Sequence, residues 1–392
     1  MIDLAPSPDD NNDRHYMQRA LDLARTAIGN TAPNPMVGCV IVKDGKIIGE
    51  GYHPRAGEPH AEIFALRSAQ KQPHQVQPYE AQSNEATTVD TSVNATVNTV
   101  GATLYVNLEP CNHTGRTPPC SDAVIASGVS RVVIGMVDPN PKVAGSGIEK
   151  IKAAGITVTV GVEEEACQTL NEAFVHRILH QRPFGILKYA MTMDGKIATT
   201  TGHSTWITSP DSRRWVHELR SHCQAIIIGG NTVRKDNPNL TCHGVSDRIP
   251  LRVVMSRSLE LPTVANLWNC DQAPTVVFTE PNPNRDIHNA LINQGVEIVE
   301  LEVLTPDAVM KNLYDRGNAQ VLWECGGTLA ARALQDKSVQ KLYAFIAPKI
   351  IGGALAPTPI GDLGLTEMTQ AIELKKVGLQ SIGPDWLVNA YV

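Results

Sequence analysis

Three residues of metal-ligating type and one carboxylate stand at separations that suit a catalytic zinc site. His60-Ala61-Glu62 follows Pro59, Pro110-Cys111 comes about fifty residues later, and Cys120 follows after eight more. One imidazole and two thiolates leave the fourth tetrahedral position of Zn²⁺ open, which marks a catalytic rather than a closed structural site. Pro59 suits the start of a helix, and His60 and Glu62 would then sit in its first turn. Two positions apart, they cannot share a helix flank. At the tip they can, because side chains lean toward the helix N-terminus and both reach past its end. Cys120 stands just before the helical stretch SDAVIAS, whose dipole favours a thiolate. Zinc held this way generates hydroxide near neutral pH, and Glu62 is placed to shuttle the proton. The matching chemistry is hydrolytic deamination of an amino-substituted ring carbon, with the proton passed first to a ring nitrogen and then to departing ammonia. Taken singly, each residue has a plainer explanation: His60 as a helix-end histidine and the cysteines as buried hydrophobes. The combination carries the reading.

Alternating helices and strands must position these groups. Residues 13–27 read as a helix, and MVGCVIV and KIIGEGY pair as a hairpin about Lys43-Asp44-Gly45. A helix follows from about Pro59, then a strand at 101–108, a helix at 121–127, a strand at 129–136 and a helix at 147–154. One helix over 163–180 closes this part, and Gln181-Arg182-Pro183 breaks it. The second half supplies further apolar strands in FGILKYAMT, QAIIIGG, LRVVMS, TVVFT, VEIVEL, QVLWECGG and KLYAFIAPKII. Two α/β domains result, 1–181 and 182–392. Residues 73–100 contain no Lys or Arg and are rich in Ser, Thr, Asn and Gln, as expected of a low-complexity surface insertion without assigned function.

The chain has 392 residues, more than one core usually serves. With 34 Lys plus Arg against 40 Asp plus Glu, its net charge of −6 argues against charge-driven binding to nucleic acid or anionic membrane. The acidic start lacks the basic and apolar regions of a signal peptide, and no run approaches the ~18 apolar residues of a membrane span. A cytoplasmic protein is expected, working on small molecules and assembling as a homo-oligomer, with its cysteines reduced.

The segments APNPMVGCVIVKDG, GEGYHPRAGEPHAE, VNLEPCNHTGRTPPC and DPNPKVAGSG resemble the deaminase half of the bifunctional riboflavin-biosynthesis deaminase/reductase family. In the second half, LKYAMTMDGKIA, STWITSP, GNTVRKDNPNLT and WECGGTLA resemble that family's reductase domain, itself similar to dihydrofolate reductase. The resemblance implies a cytidine-deaminase-like three-layer α/β/α domain followed by a dihydrofolate-reductase-like α/β domain. It implies Zn²⁺ and NADPH as cofactors. The reactions would be deamination of a phosphoribosyl-linked diaminopyrimidine, then reduction of its ribosyl group to ribityl. It places zinc on His60, Cys111 and Cys120, and proton transfer on Glu62. Asn34, His53, His113 and Arg116 would contact the deaminase substrate. Ala190, Trp206, Thr232, Asp236, Ser256 and the run Gly326, Gly327, Thr328, Leu329, Ala330, Ala331 and Arg332 would lie beside the dinucleotide. Ser204, Arg220, Leu240, His243 and Glu324 would meet the reductase substrate.

On physical grounds alone, Gly326-Gly327 could present bare N–H groups at a helix start to a phosphate, although double glycines after strands also make ordinary turns. Asn34 and His53 could equally stabilise loops, and Trp206 alone reads as a core residue. One position departs from the family pattern: where an arginine for substrate phosphate is usual, this chain has His243, a poorer clamp than a bidentate guanidinium. The rival reading is therefore a deaminase whose second domain only binds substrate or builds an oligomer. Deamination of a nucleic-acid base is a third, disfavoured by the acidic balance.

Overall fold

Apolar runs buried on both faces make the inner strands, and the computed structural model describes residues 11–70, 98–113 and 118–392. The chain divides into two compact units, Met1–Leu179 and His180–Val392.

In the first unit the elements run α1 (Asn11–Arg25), β1 (Gly38–Lys43), β2 (Lys46–Tyr52), α2 (Ala61–Gln70), β3 (Thr103–Leu108), α3 (Cys120–Ala126), β4 (Arg131–Met136), α4 (Ser146–Ala153), β5 (Thr157–Val160), α5 (Glu164–Leu170) and α6 (Glu172–His180). The sheet order is β2-β1-β3-β4-β5. β1 is antiparallel to β2 and β3, whereas β3, β4 and β5 run parallel, as helical crossovers require. Val40, Ile41, Leu104, Val106, Val132 and Ile134 pack one core with Met17, Leu21, Ala65 and Leu66 from the covering helices. α1 is tied down by buried Asp13, which accepts two hydrogen bonds from Arg131 at 2.9 and 2.6 Å and one from Tyr105 Oη at 2.9 Å.

The single helix expected over 163–180 is two helices. Asn171 interrupts it, and its side chain is committed elsewhere: Oδ1 accepts from Met36 N at 2.8 Å and Nδ2 donates to Met36 O at 3.0 Å. Competition of an amide side chain for backbone groups is what disfavours Asn inside helices.

The second unit comprises β6 (Phe184–Thr192), α7 (Pro210–His222), β7 (Ala225–Gly229), α8 (Gly230–Asp236), β8 (Leu251–Met255), β9 (Thr275–Thr279), α9 (Arg285–Ile292), β10 (Glu297–Glu300), α10 (Pro306–Asp315), β11 (Gln320–Trp323), α11 (Gly327–Gln335), β12 (Lys341–Ala347), β13 (Lys375–Ile382) and β14 (Asp385–Tyr391). Its nine-stranded sheet is ordered β10-β9-β8-β7-β11-β6-β12-β14-β13. The seven strands from β10 to β12 are parallel, and the C-terminal hairpin joins antiparallel through β14. The strand order reverses between β7 and β11. At such a switch point, ligands bind outside the carboxyl ends of the strands.

Candidate active sites

Helix starts bring the three expected metal ligands together. His60 immediately precedes α2 and its carbonyl accepts the first backbone bonds, from Ile63 N at 3.1 Å and Phe64 N at 3.3 Å. Cys120 is the first residue of α3 rather than the one before it, and its N–H donates to Cys111 Sγ at 3.3 Å. Cys111 is set in place by its neighbours. Buried Glu109 accepts from the N–H groups of Asp138, Gly145, Gly147 and Ile148 at 2.9–3.3 Å, and Cys111 O accepts from Ser121 N at 3.1 Å. Glu109 therefore pins the 138–148 loop against the chain leading into Cys111.

His60 Nδ1 lies 3.2 Å from Cys120 Sγ and 3.5 Å from Cys111 Sγ. Zn–N and Zn–S bonds of ordinary length at a tetrahedral angle would put such atoms about 3.6 Å apart. All three ligand atoms lie within 4.8 Å of one another, the one such cluster among the described residues. Cys111 is held down to about 4 by hydrogen bonds from Cys120 and His60, while Cys120 is pushed up by its bond to Cys111 and by burial. A dication would take both as thiolates.

Glu62 is 3% exposed and its Oε2 has no hydrogen-bond partner. Burial pushes its pKa up to about 7, against the pull of His60. An orphaned carboxyl oxygen beside a set of metal ligands is unfavourable unless a bound molecule completes it. The residues present thus fit zinc and a proton carrier.

Beside this cluster, His53 is 2% exposed, and burial lowers its pKa. Its Nδ1 faces Pro59 O at 3.0 Å, so that nitrogen carries the proton, and Nε2 is left to accept from Asn34 Nδ2 at 3.2 Å. The His53 and His60 rings meet edge to face with centroids 5.4 Å apart. The segment bearing Asn34 is held by two amides that sequence reasoning missed, Asn171 and the fully buried Asn107, whose Oδ1 accepts from Gly38 N at 2.8 Å and whose Nδ2 donates to Met36 O at 3.0 Å. His113 is exposed. Arg116, like all but residues 98–100 of the low-complexity stretch, falls outside the described residues.

In the second unit the expected dinucleotide residues cluster by topology. Ala190 is near the carboxyl end of β6, Thr232 and Asp236 are on α8 after β7, Ser256 follows β8, and Gly326 to Arg332 start α11 after β11. These are the adjacent strands β8-β7-β11-β6. The N-terminus of α11 has no side-chain cap, and a Cβ on Gly326 would meet nothing within 4 Å. Gly327 differs: a Cβ there would lie 2.5 Å from Thr358 O and 3.1 Å from Gly361 N, so this glycine admits the 358–361 segment against the helix. Ala330 and Ala331 are buried in the core, leaving Thr328 and Arg332 on the outer face. Ser204 and Trp206 lie in the loop after β6. The Trp206 ring is 67% exposed with the Arg213 guanidinium 4.5 Å above it, an exposed aromatic rather than a core one.

Arg220 and Glu324 form a bidentate pair, Nε to Oε1 at 2.6 Å and Nη2 to Oε2 at 3.1 Å, and Arg220 Nη1 donates to Thr241 O at 2.9 Å. Lys188 Nζ stands 3.7 Å from Glu324 Oε2. Burial alone would raise the Glu324 pKa, but Arg220 and Lys188 hold it at about 2. Leu240 is 3% exposed at φ 52°, so the backbone is what it can offer a ligand. His243 stacks on His217, centroids 4.3 Å apart at 24°. Lys188 and His217 were not anticipated. A lysine inside an otherwise apolar strand was the available signal for the first; nothing in the sequence indicated the second.

Residues 10–136 match the family described as "Cytidine and deoxycytidylate deaminase zinc-binding region", and residues 183–388 match the "RibD C-terminal domain". Fold and sites define a zinc-dependent deaminase joined to an NADPH-dependent reductase, a hydrolase and an oxidoreductase in one chain. The chain is 58% identical to "Riboflavin biosynthesis protein RibD" of Synechocystis sp. over 97% of its length and 96% of the relative's, and 40% identical to RibD of Aquifex aeolicus over 96% and 97%. A solved Thermotoga maritima protein, titled a diaminohydroxyphosphoribosylaminopyrimidine deaminase/5-amino-6-(5-phosphoribosylamino)uracil reductase, superposes with TM-score 0.81 at 37% identity, covering 97% of this chain and 99% of that one. The chain belongs to the RibD family of bifunctional riboflavin-biosynthesis enzymes. A second domain without catalysis is thereby disfavoured.

Proposed function

We propose that residues 1–181 remove the amino group of 2,5-diamino-6-(5-phosphoribosylamino)pyrimidin-4(3H)-one and that residues 182–392 reduce the ribosyl chain of the product, 5-amino-6-(5-phosphoribosylamino)uracil, to ribityl. The observation that carries the first half is the partnerless Glu62 Oε2 beside His60, Cys111 and Cys120. Those three hold zinc, which when bound supplies a nucleophilic water at neutral pH. Glu62 takes a proton from the attacking water and delivers it to a ring nitrogen, then takes the remaining hydroxyl proton and delivers it to the amino group, which leaves as ammonia as the carbonyl forms. Burial raises the Glu62 carboxyl, which favours its carrying the proton between the two atoms. His53, kept neutral by burial, fixes the Asn34 amide, whose oxygen remains to accept from a substrate amino group.

In the reductase unit, the uncapped start of α11 favours the phosphates of the dinucleotide. Bound NADPH supplies a hydride. Reduction at the sugar carbon that bears nitrogen breaks its bond to the ring oxygen, which must gain a proton. Lys188, whose pKa burial lowers, is the donor beside the Glu324 carboxylate. Lys188→Met is expected to lower kcat of the reductase step by two orders of magnitude or more while leaving ammonia release intact; an unchanged kcat excludes this role. The reading further places the enzyme in the cytoplasm as a homo-oligomer. Large apolar side chains exposed on the second unit, Leu355, Met368 and Leu379, support association. Sedimentation of a monomer at micromolar concentration would contradict it. Among the described residues, no helix is long and apolar enough to cross a membrane.

A further inference from the structure

Helix α7 begins at Pro210 with Ser209 as its N-cap, and Ser209 Oγ accepts from Ser212 N at 3.3 Å. In a reciprocal capping box the third helical residue is Glu or Gln, whose side chain reaches back to accept the N-cap N–H. Here the third residue is Ser212, too short for that, and its hydroxyl donates instead to Asp385 Oδ2 at 2.6 Å. The N-cap N–H of Ser209 donates to the same oxygen at 2.8 Å. Asp385 is the first residue of β14, so a carboxylate from the C-terminal hairpin does what a glutamate in the helix's own first turn would do. It is 2% exposed, and an apolar side chain in its place would remove the acceptor that both donors use.

Packing of Val216 against Phe345 and Leu387 lays the middle of α7 on β12 and β14. It does not fix the first turn, whose N–H groups lack intrahelical partners and which shifts or frays unless it is capped. Arg213, in that turn, reaches back over the loop that enters the helix: Nη1 donates to Thr208 O at 2.8 Å, and the guanidinium lies 4.5 Å from the centre of the Trp206 ring. Lys349 Nζ tethers the same loop, donating to Trp206 O at 2.8 Å. We propose that Asp385 is a positioning residue for the reductase step: it sets the start of α7 and, through Ser209 and Arg213, holds the Trp206 ring where the dinucleotide meets it. This rests on the reading of the second unit as the reductase and of Trp206 as a cofactor contact. Arg220 lies toward the other end of α7, about 15 Å along the axis, and is fixed by its own bidentate pair with Glu324. The influence of Asp385 is therefore confined to the cofactor end of the helix.

KM for NADPH and KM for 5-amino-6-(5-phosphoribosylamino)uracil are measured on the full chain for wild type, Asp385→Ala, Asp385→Asn, Ser212→Ala, Trp206→Ala and the double variant Asp385→Ala/Trp206→Ala. Retained ammonia release reports an intact first unit, and NADPH oxidation itself reports a folded second one. Asp385→Ala should raise the KM for NADPH roughly tenfold and Ser212→Ala, which keeps the bond from Ser209, about threefold, with kcat and the KM for the uracil compound within about twofold. Asp385→Asn, whose amide oxygen can still accept from both donors, should recover most of the loss. Trp206→Ala should raise the KM for NADPH at least as much as Asp385→Ala, and the double variant no further than Trp206→Ala, because one residue acts through the other. Should Asp385→Ala be too unstable to assay, Ser212→Ala, alone and combined with Trp206→Ala, carries the same comparison. A carboxylate that only stabilised the fold would lower the active fraction, and so the apparent kcat, without moving either KM. That result, equal rises in both KM values, or effects that multiply in the double variant overturn the proposal and leave the reductase reading standing. An unchanged KM for NADPH in Trp206→Ala removes Trp206 as a cofactor contact and the proposal with it. A wild-type chain that never oxidises NADPH overturns the reductase reading and the proposal together.

Discussion

Glu62 shows what one atom can disclose. A buried carboxyl oxygen without a partner costs free energy that the other described residues avoid, and its position beside a His and two Cys says what completes it. Glu62→Gln keeps the size and removes the proton relay. Deamination should fall by about 10²–10⁴-fold with one zinc per chain retained by metal analysis; loss of zinc would make Glu62 a ligand instead. The metal ligands were legible because residue type and spacing are themselves the chemistry. Lys188 and His217 were not, because their significance comes from Glu324 and His243, partners brought close only by the fold.

Elements place these atoms by close approach. Gly51 on β2 faces α2, and a Cβ there would lie 2.5 Å from Ala65 N, 2.6 Å from Phe64 Cβ and 2.7 Å from Ala61 O. Gly51→Ala must push away the helix that carries His60 and Glu62 at its tip. Overpacking of this kind costs about 1–3 kcal/mol, so thermal unfolding should move to lower temperature and zinc should be lost to a competing chelator more readily; neither change would mean that α2 is free to slide. Gly327→Ala likewise collides with the 358–361 segment and should raise the KM for NADPH while sparing deamination, as paired assays of the two steps would show. Most helices and strands could be read from apolar periodicity. The β13–β14 hairpin could not, since β13 is largely exposed on both faces and carries no alternation to detect. Nor could the break at Asn171, whose cause is the backbone of Met36, distant in sequence.

For the whole molecule, each unit has its own sheet and its own site, so the two reactions should fail separately. Treatment with 1,10-phenanthroline should abolish ammonia release yet leave reduction of added 5-amino-6-(5-phosphoribosylamino)uracil within about twofold; equal loss of both would show that zinc supports the second unit as well. The division into two α/β parts, like the chemistry of the first, was apparent in the sequence. The chemistry of the second came from resemblance, because glycines after a strand and a lone tryptophan describe many folds. That one chain runs both steps in order is tested most directly with the diaminopyrimidine substrate, following ammonia and NADPH together. Wild type should release one ammonia for each NADPH oxidised. Glu62→Gln should do neither until the deaminated compound is supplied, and should then oxidise NADPH at the wild-type rate. Ammonia release without any NADPH oxidation, or NADPH oxidation by Glu62→Gln on the diamino substrate at the wild-type rate, would contradict the account.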